Sequence, residues 1–281
     1  MTFSIVARSD DGTELGVAVA SKFLAVGAVV PAAEPGAGAI ATQALANLRY
    51  RPDGLALLRS GHDAERTLDR LVSADPGAAD RQAGVVDASG RSATYTGPAC
   101  FPWAGGVAGD GFAAQGNILT GPEVVDAVAG AWRSSDPGAP LARRLHAALL
   151  AGDRAGGDRR GRQSAAVLVV RPGGGYGGGS DVVVDLRVDD HADPVAELGR
   201  LLDLHDLLFG QTPEEDCLPL EGETAAELRD LLVRLGYDDP DLGRALEACA
   251  GVENLEERMR PGLLDPVVLA HLRTLAGVSR P

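Results

Sequence analysis

The residue with the clearest chemical potential is the threonine at position 2. An initiator methionine is normally removed when the next residue is as small as threonine, and loss of Met1 would leave Thr2 with a free α-amine. Such an amine has an ordinary pKa of about 7.7–8.0, so near neutral pH it can accept the proton of its own residue's hydroxyl. Nucleophile and general base then belong to one residue, which makes Thr2 the candidate nucleophile for cleaving an amide.

Two further candidates are expected opposite Thr2 in a hairpin. Residues 2–9 and 14–21 have strand composition and residues 10–13 have turn composition, so Ser21 and Lys22 should lie beside residues 2 and 3. Lys22 is the single lysine among 26 basic residues, and an ammonium there would lower the cost of forming an alkoxide. The alternative is a surface lysine whose charge stays in water. We take Ser21 and Lys22 as candidate catalytic residues.

Two amides, Gln43 and Asn117, lie among small residues and have two possible roles. Either amide could donate a hydrogen bond to an oxyanion during attack on a carbonyl. Structural amides at strand ends or turns have the same sequence appearance. Both are therefore candidates for the catalytic site, with the structural alternative open.

Three charged residues are candidates for substrate binding. Asp158 and Arg159 lie in a glycine-rich loop before a strand and could bind a substrate ammonium or carboxylate, although such a loop is more often simply solvated. Arg187 belongs to the charged run 185–191, which ends at a helix cap. A metal site needs oxygen ligands that converge from several directions, and one short run is more often structural. No metal is predicted.

Composition limits the functional classes. The chain has 281 residues and a net charge of −14, and a field of that sign repels nucleic acid and anionic membranes. The three cysteines have neither disulfide nor zinc spacing, and the glycine run 173–179 lacks the GxxxxGK[ST] phosphate-binding pattern. We therefore predict no cofactor, no nucleic-acid or membrane partner, and a small amide or peptide-like substrate. Without a secretory or membrane-spanning segment, a cytoplasmic homo-oligomer is expected.

The order of elements predicts an α+β fold. Strands, two helices, strands, two helices, strands and a helix follow one another over residues 1–211, which indicates helices packed over two antiparallel sheets. Short strands are expected near 28–30 and 38–42, and a hairpin of strands 163–171 and 180–189 should be covered on both faces. An acidic linker, 212–222, precedes an all-helical domain at 223–281.

Several segments in a fixed order resemble a bacterial family catalogued as domain of unknown function 1028. The resemblance covers about residues 1–210 and rests on the segments 2–8, 16–31, 41–44, 115–117, 156–158, 163–166 and 185–191. It implies the four-layer αββα sandwich of N-terminal-nucleophile hydrolases, similar to proteasome β-subunits, with the nucleophile at Thr2. The tail, with ENLEER at 253–258, resembles a peptidoglycan-binding domain.

Three functions are compatible with these patterns. The leading hypothesis is an amidohydrolase that works through a Thr2 acyl-enzyme. The alternative is an inactive hydrolase fold that acts as a binding or scaffold protein and recruits partners with its acidic helical tail. A third possibility is cell-wall binding through residues 218–281.

Overall fold

The computed structural model of the chain describes residues 2–278, so Met1, whose removal the sequence predicts, lies outside the described residues. The chain divides into two compact units, with the boundary between Leu202 and Asp203. That boundary falls inside a helix rather than in the predicted linker. Along residues 2–278 no helix is both long and apolar enough to cross a membrane.

The first unit contains most of the strands. These are β1 (Thr2–Arg8), β2 (Leu15–Ser21), β3 (Pro31–Glu34), β4 (Gly38–Ala44), β5 (Arg81–Asp87), β6 (Ser92–Thr96), β7 (Gly105–Gly109), β8 (Phe112–Asn117), β9 (Ser164–Val170) and β10 (Val182–Val188). The helices are α1 (Tyr50–Arg59), α2 (Ala64–Ser73), α3 (Glu123–Ser134), α4 (Leu141–Arg154) and α5 (Pro194–Phe209), the last of which crosses the boundary. This is the mixed α and β composition that the sequence predicts.

Two antiparallel sheets organise these strands. The larger has the order β10-β9-β2-β1-β8-β7, and the smaller has the order β3-β4-β5-β6. β1 is therefore a central strand with a neighbour on each side. It pairs Thr2 with Ser21 of β2 and with Asn117 of β8, which confirms the predicted hairpin and its register.

Three apolar clusters show how the layers pack. One joins the larger sheet to α3, α4 and α5, and includes Phe3 and Ile5 of β1. A second lies between the two sheets and includes Val6. The third joins the smaller sheet to α1 and α2. Because successive strand side chains point to opposite faces, β1 contributes its odd positions to the helical side and its even positions to the space between the sheets.

Two strand predictions in the first unit are wrong. Residues 26–28 form a short 3₁₀ turn and the strand begins only at Pro31, so no strand covers 28–30. The β9–β10 hairpin is present, but β10 is an edge strand on which Val182, Asp185 and Arg187 are exposed. A run of valines predicts a strand that is covered on both faces, whereas the edge position of β10 leaves part of the strand in contact with water.

The second unit is mainly helical. Its helices are α6 (Gly222–Arg234), α7 (Leu242–Glu253) and α8 (Pro266–Leu275), and they share one apolar cluster. The prediction of an all-helical tail is corrected by a short ribbon, β11 (Leu218–Pro219) with β12 (Leu263–Leu264). A buried ion pair between Arg258 and Asp265, with Nη1 and Oδ2 2.7 Å apart, ties α8 to the preceding loop.

The two sheets of the first unit approach closely at Gly84 of β5. A Cβ at this position would lie 2.0 Å from Oε1 of Gln115, a buried side chain on β8. We expect Gly84→Ala to lower the free energy of unfolding by about 1–3 kcal/mol, because Gln115 is hydrogen-bonded and enclosed and cannot move aside freely.

Gly130 provides the matched control for this substitution. It lies exposed within α3, and a Cβ there would meet no described atom within 4 Å. Gly130→Ala should raise the free energy of unfolding by about 1 kcal/mol through helix propensity. Urea denaturation of both variants is the measurement; equal stability of Gly84→Ala and the wild type would show that the sheets are not tightly packed at this point.

Candidate active site

Thr2 occupies the start of the central strand and is nearly buried. It is 6% exposed, and its Oγ1 lies 3.0 Å from Oγ of Ser21. This contact follows from the register, since Thr2 and Ser21 are directly opposite in neighbouring strands and their side chains share a face. The structure thus brings together two of the predicted catalytic residues.

The backbone of Thr2 is held by two buried amides, Gln43 and Asn117. The carbonyl oxygen of Thr2 accepts hydrogen bonds from Nε2 of Gln43 at 3.2 Å and from Nδ2 of Asn117 at 3.5 Å. The same two nitrogens also donate to Oε1 of Gln82, at 2.8 and 2.9 Å. Both amides are therefore occupied in fixing Thr2 and the strands around it.

Gln82 sets the orientation of these two amides, although no sequence pattern singles it out. Its Nε2 donates to the carbonyl of Gly116 at 2.7 Å and to Oγ1 of Thr96 at 2.9 Å. The nitrogen must face these acceptors, so the carbonyl oxygen of Gln82 faces the other two amides and each of them must present its NH₂ group. The one available sequence signal is a glutamine at the start of an apolar strand; its pairing with Gln43 is visible only in the structure.

A second chain of hydrogen bonds lies one residue pair further along the sheets. Nε2 of Gln115 donates to Oγ of Ser4 at 2.6 Å, and that hydroxyl donates to Oε1 of Gln43 at 2.7 Å. Oε1 of Gln115 has no hydrogen-bond partner among the described residues. Ser4 and Gln115 thereby extend the polar group from Thr2 toward the centre of the sandwich.

All these polar side chains come from one end of the space between the sheets. They lie at alternate positions of four strands: Thr2 and Ser4 on β1, Gln43 on β4, Gln82 on β5, and Gln115 and Asn117 on β8. Further along the same faces the residues are apolar, as at Val6, Ala41 and Val86. The interior of the sandwich therefore changes from apolar to hydrogen-bonded at the end where Thr2 reaches the surface. We call the six residues the amide network.

Two cavities meet at Thr2. The larger, of about 480 Å³, is mainly apolar and is lined by Phe23, Val26, Val29, Val30, Leu45 and Leu48, with Arg81 at one side. The smaller, of about 270 Å³, also has a mainly apolar lining but contains two charged residues, Asp80 and Arg160, beside Ser21, Cys100, Phe101 and Asn117. Thr2, Phe23, Ala44 and Leu45 line both. We refer to them as the apolar arm and the polar arm of one cleft, with Thr2 at their junction.

Backbone strain is concentrated around this cleft. Four described non-glycine residues have positive φ. Ala44 at 69° and Ile118 at 49° line the cleft, and Ala25 at 52° precedes Val26 of the apolar arm. The left-handed region is unfavourable for alanine and more so for a β-branched residue such as Ile118. Strain of this kind persists where the surrounding structure enforces it, and it is commonest at functional sites.

Lys22 is exposed and does not line either arm. Its ammonium donates to the carbonyl of Arg162 at 3.3 Å, and its backbone N–H donates to Oδ2 of Asp158 at 2.7 Å. The residue is adjacent to Ser21 as expected, but its described polar contacts belong to the loop that follows α4. Electrostatic support of Thr2 by Lys22 stays a prediction.

The predicted substrate-binding residues have different surroundings. Asp158 is buried and is held by the backbone N–H groups of Lys22 and Arg160, at 2.7 and 2.8 Å, which ties the loop to the end of β2. Arg159 is exposed, and its N–H donates to the carbonyl of Ile118. Arg187 forms a bidentate pair with Asp185, at 2.8 and 2.9 Å. None of the three lines either arm; Arg160, which was not predicted, lines the polar arm.

Cys100 of the polar arm and Asp75, which pairs with the lining residue Arg81, have clear electrostatic roles. Burial raises the pKa of the Cys100 thiol, whose S–H donates to the carbonyl of Arg81, so the neutral thiol is a poor nucleophile. Burial also raises the pKa of Asp75, but hydrogen bonds from Asn47, Arg81 and the N–H of Gly77 outweigh it and bring that pKa to about 2. Asp75 is therefore an anion that pairs with Arg81.

Comparison with known proteins covers both units. The family model described as "Family of unknown function (DUF1028)" matches residues 2–198, and one described as "Putative peptidoglycan binding domain" matches residues 208–272. The crystal structure of protein SPO2555 from Silicibacter pomeroyi, of the same family, is 30% identical with a TM-score of 0.65, over 80% of this chain and 92% of that one. The curated proteins contain no match to the chain. The first match includes every residue of the amide network.

The role of Gln82 can be tested by Gln82→Met, which keeps the size of the side chain and removes its amide. We expect the free energy of unfolding to fall by about 1–3 kcal/mol or more, because the N–H groups of Gln43 and Asn117 lose a buried acceptor. Gln163→Met is the matched control, since Gln163 makes one exposed hydrogen bond to Asp190. Similar losses in the two variants, measured by urea denaturation, would contradict a special role of Gln82.

The Asp75–Arg81 pair predicts a defined dependence on pH. The folded-state pKa of Asp75 is about 2, below its ordinary value, so the stabilisation is complete above about pH 4 and is lost as the pH falls toward 2. The difference in unfolding free energy between wild type and Asp75→Asn should shrink over that interval. Burial raises the pKa of Glu14 above 4.5, so for Glu14→Gln the difference should change in the opposite direction and above pH 4.5. A constant difference for Asp75→Asn would refute the assignment.

Proposed function

We propose that this chain, which belongs to the family of unknown function 1028, is an amide hydrolase in which Thr2 attacks the substrate carbonyl. The proposal needs the bond before Thr2 to be cleaved, so that its α-amine is free to act as general base. The observation that carries it is the position of Thr2: a hydroxyl at the junction of two cavities, on a strand whose backbone is held by the amide network.

The order of the layers supports the same interpretation. Helices α3, α4 and α5 pack on the larger sheet, the two sheets pack on each other, and α1 and α2 pack on the smaller sheet. We infer that this is the αββα sandwich of N-terminal-nucleophile hydrolases. In that architecture the first residue of a central strand is the reactive one, which is the position of Thr2 on β1.

The proposed reaction uses the α-amine and hydroxyl of Thr2. The amine takes the proton of Oγ1 as Oγ1 bonds to the carbonyl carbon, and it gives a proton to the leaving nitrogen as the C–N bond breaks. Water then attacks the ester, the bond from Oγ1 to carbon breaks, and Oγ1 regains a proton. Ser21, whose Oγ is 3.0 Å from Oγ1, would orient the hydroxyl and relay the proton.

Gln43 and Asn117 are proposed as positioning residues. Their nitrogens already donate to the carbonyl of Thr2 and to Gln82, so a role as oxyanion donors would require those bonds to break. They instead fix the backbone from which the Thr2 hydroxyl projects, and such pre-organisation lowers the cost of reaching the attack geometry. For Lys22 we retain electrostatic support at longer range.

A second candidate function is binding without catalysis. The match of residues 208–272 to a peptidoglycan-binding domain favours it, because the second unit would then attach the first to a polymer. In that case the protein is a scaffold or cell-wall-associated protein rather than a cytoplasmic enzyme. The state of Met1 distinguishes the two candidates, since retention of Met1 places the nitrogen of Thr2 in a peptide bond and removes the base.

Covalent labelling of Thr2 tests the proposed function. Intact-mass analysis of the wild type should show loss of Met1, and a β-lactone or epoxyketone should then add once, at Thr2. Thr2→Ala should abolish the adduct and any amide hydrolysis with little change in stability, because β1 is paired through its backbone on both sides. Thr2→Ser should retain labelling.

Two controls make this experiment specific. Cys100 lines the polar arm and could react with an electrophile, so Cys100→Ser must still be labelled. Thr13→Ala, in the exposed turn before β2, should behave as the wild type. Retained Met1, or an adduct that persists in Thr2→Ala, would overturn the proposed function.

A further inference from the structure

We propose that the substrate is an N-acylated amino acid, with an apolar acyl group in the apolar arm of the cleft and the carboxylate of the amino-acid part facing Arg160 in the polar arm. This inference rests on the proposed function, because it takes Thr2 as the point of attack. It concerns the chemistry of the two arms, which differs, and it assigns one part of the substrate to each.

The apolar arm fits a hydrocarbon group. Its lining includes Val26 and Val30, which are buried, and Leu45 and Leu48, which are 58% and 49% exposed. Large apolar side chains exposed around a cavity are a recognised mark of a ligand site. The volume, about 480 Å³, lies in the range of small-molecule pockets. Burial of an acyl chain there would remove both the ligand and the exposed leucines from water.

The one cation of the apolar arm is already neutralised. Nε of Arg81 lies 3.0 Å from Oδ2 of Asp75, and Nη1 donates to the carbonyl of Leu45. The pKa of Asp75 is about 2, so the pair is ionised on both sides at neutral pH. An acyl group that ended in a carboxylate would meet an apolar wall and an arginine that is only 21% exposed and closely paired, so we expect it to be excluded.

The polar arm carries one charge of each sign. Arg160 has a side chain that is 45% exposed and pairs at 3.4 Å with the buried carboxylate of Asp158, and Asp80 lines the same cavity. After cleavage, the released amino acid has an ammonium and a carboxylate, which match Asp80 and Arg160. Before cleavage, the nitrogen is an amide without charge and the carboxylate is the charged group, so Arg160 selects the substrate and Asp80 favours the product amine as it forms.

The assignment of the two parts follows from the order of the reaction. The acyl group stays on Thr2 after the first step, whereas the amine must leave and be protonated. An arm with charged residues suits the departing group, and an apolar arm retains the acyl group through its contacts until water attacks the ester. The apolar arm therefore takes the acyl group.

Binding to the inactive Thr2→Ala protein tests the inference independently of hydrolysis. Calorimetric titrations would use octanoylglycine, hexanoylglycine, acetylglycine, succinylglycine and octanoylglycinamide. We expect affinity to rise about 4-fold for each methylene that is buried. Octanoylglycine should bind about 10-fold more tightly than octanoylglycinamide, which lacks the carboxylate, and succinylglycine should bind no better than acetylglycine.

Two pairs of variants, made on the same Thr2→Ala background, connect these preferences to the arms. Arg160→Gln should remove the advantage of octanoylglycine over its amide, whereas Arg154→Gln, at the exposed end of α4, should not. Leu48→Asp should weaken octanoylglycine without affecting acetylglycine, whereas Leu24→Asp should have no effect, because Leu24 is 60% exposed and lines neither arm.

The outcomes separate this inference from the proposed function. An affinity that does not depend on acyl chain length or on the carboxylate overturns the substrate assignment, and so does an unchanged preference for octanoylglycine over its amide in Arg160→Gln. Either result counts even if the wild type cleaves other amides. The expected binding pattern, together with a wild type that neither cleaves octanoylglycine nor is labelled at Thr2, supports the ligand class and overturns the hydrolase.

Discussion

The structure around Thr2 depends on one constraint: amide groups enclosed between two sheets must find hydrogen-bond partners. An amide group buried without a partner costs about 1–3 kcal/mol, so most groups of such a set must satisfy each other; here Oε1 of Gln115 is the exception among the described network residues. Gln82 makes this possible, because its oxygen accepts from Gln43 and Asn117 while its nitrogen is fixed by Gly116 and Thr96. The backbone of Thr2 completes the same set of bonds.

The amide network also explains why the sandwich opens at this end. Apolar side chains can close the space between two sheets by packing, as Val6, Ala41 and Val86 do. Polar side chains hold their positions by directed bonds, and both arms of the cleft begin at the network. The left-handed backbone at Ala44 and Ile118, one residue beyond Gln43 and Asn117, indicates that the strands turn away sharply there.

Charge in the cleft is provided by residues that the sequence patterns do not single out. Lys22 is the single lysine of the chain, yet its ammonium donates a hydrogen bond to the carbonyl of Arg162. Arg160 is not among the predicted residues, yet it lines the polar arm because the buried Asp158 fastens its loop to β2. Asp158 was considered as a ligand for substrate, whereas its carboxylate serves the loop itself.

Local features of the protein follow from its amino-acid sequence alone. They include the helices, the α+β composition and the hairpin that pairs Ser21 with Thr2, because periodicity and turn composition act over a few residues. The sequence could not decide that β10 lies at an edge, that residues 26–28 turn instead of extending, or that Gln82 is the acceptor shared by two amides. Those outcomes depend on which strands become neighbours across the two sheets. Gln43 and Gln82, or Thr2 and Asn117, become partners only when distant segments pair in one register, and tertiary packing alone sets that pairing.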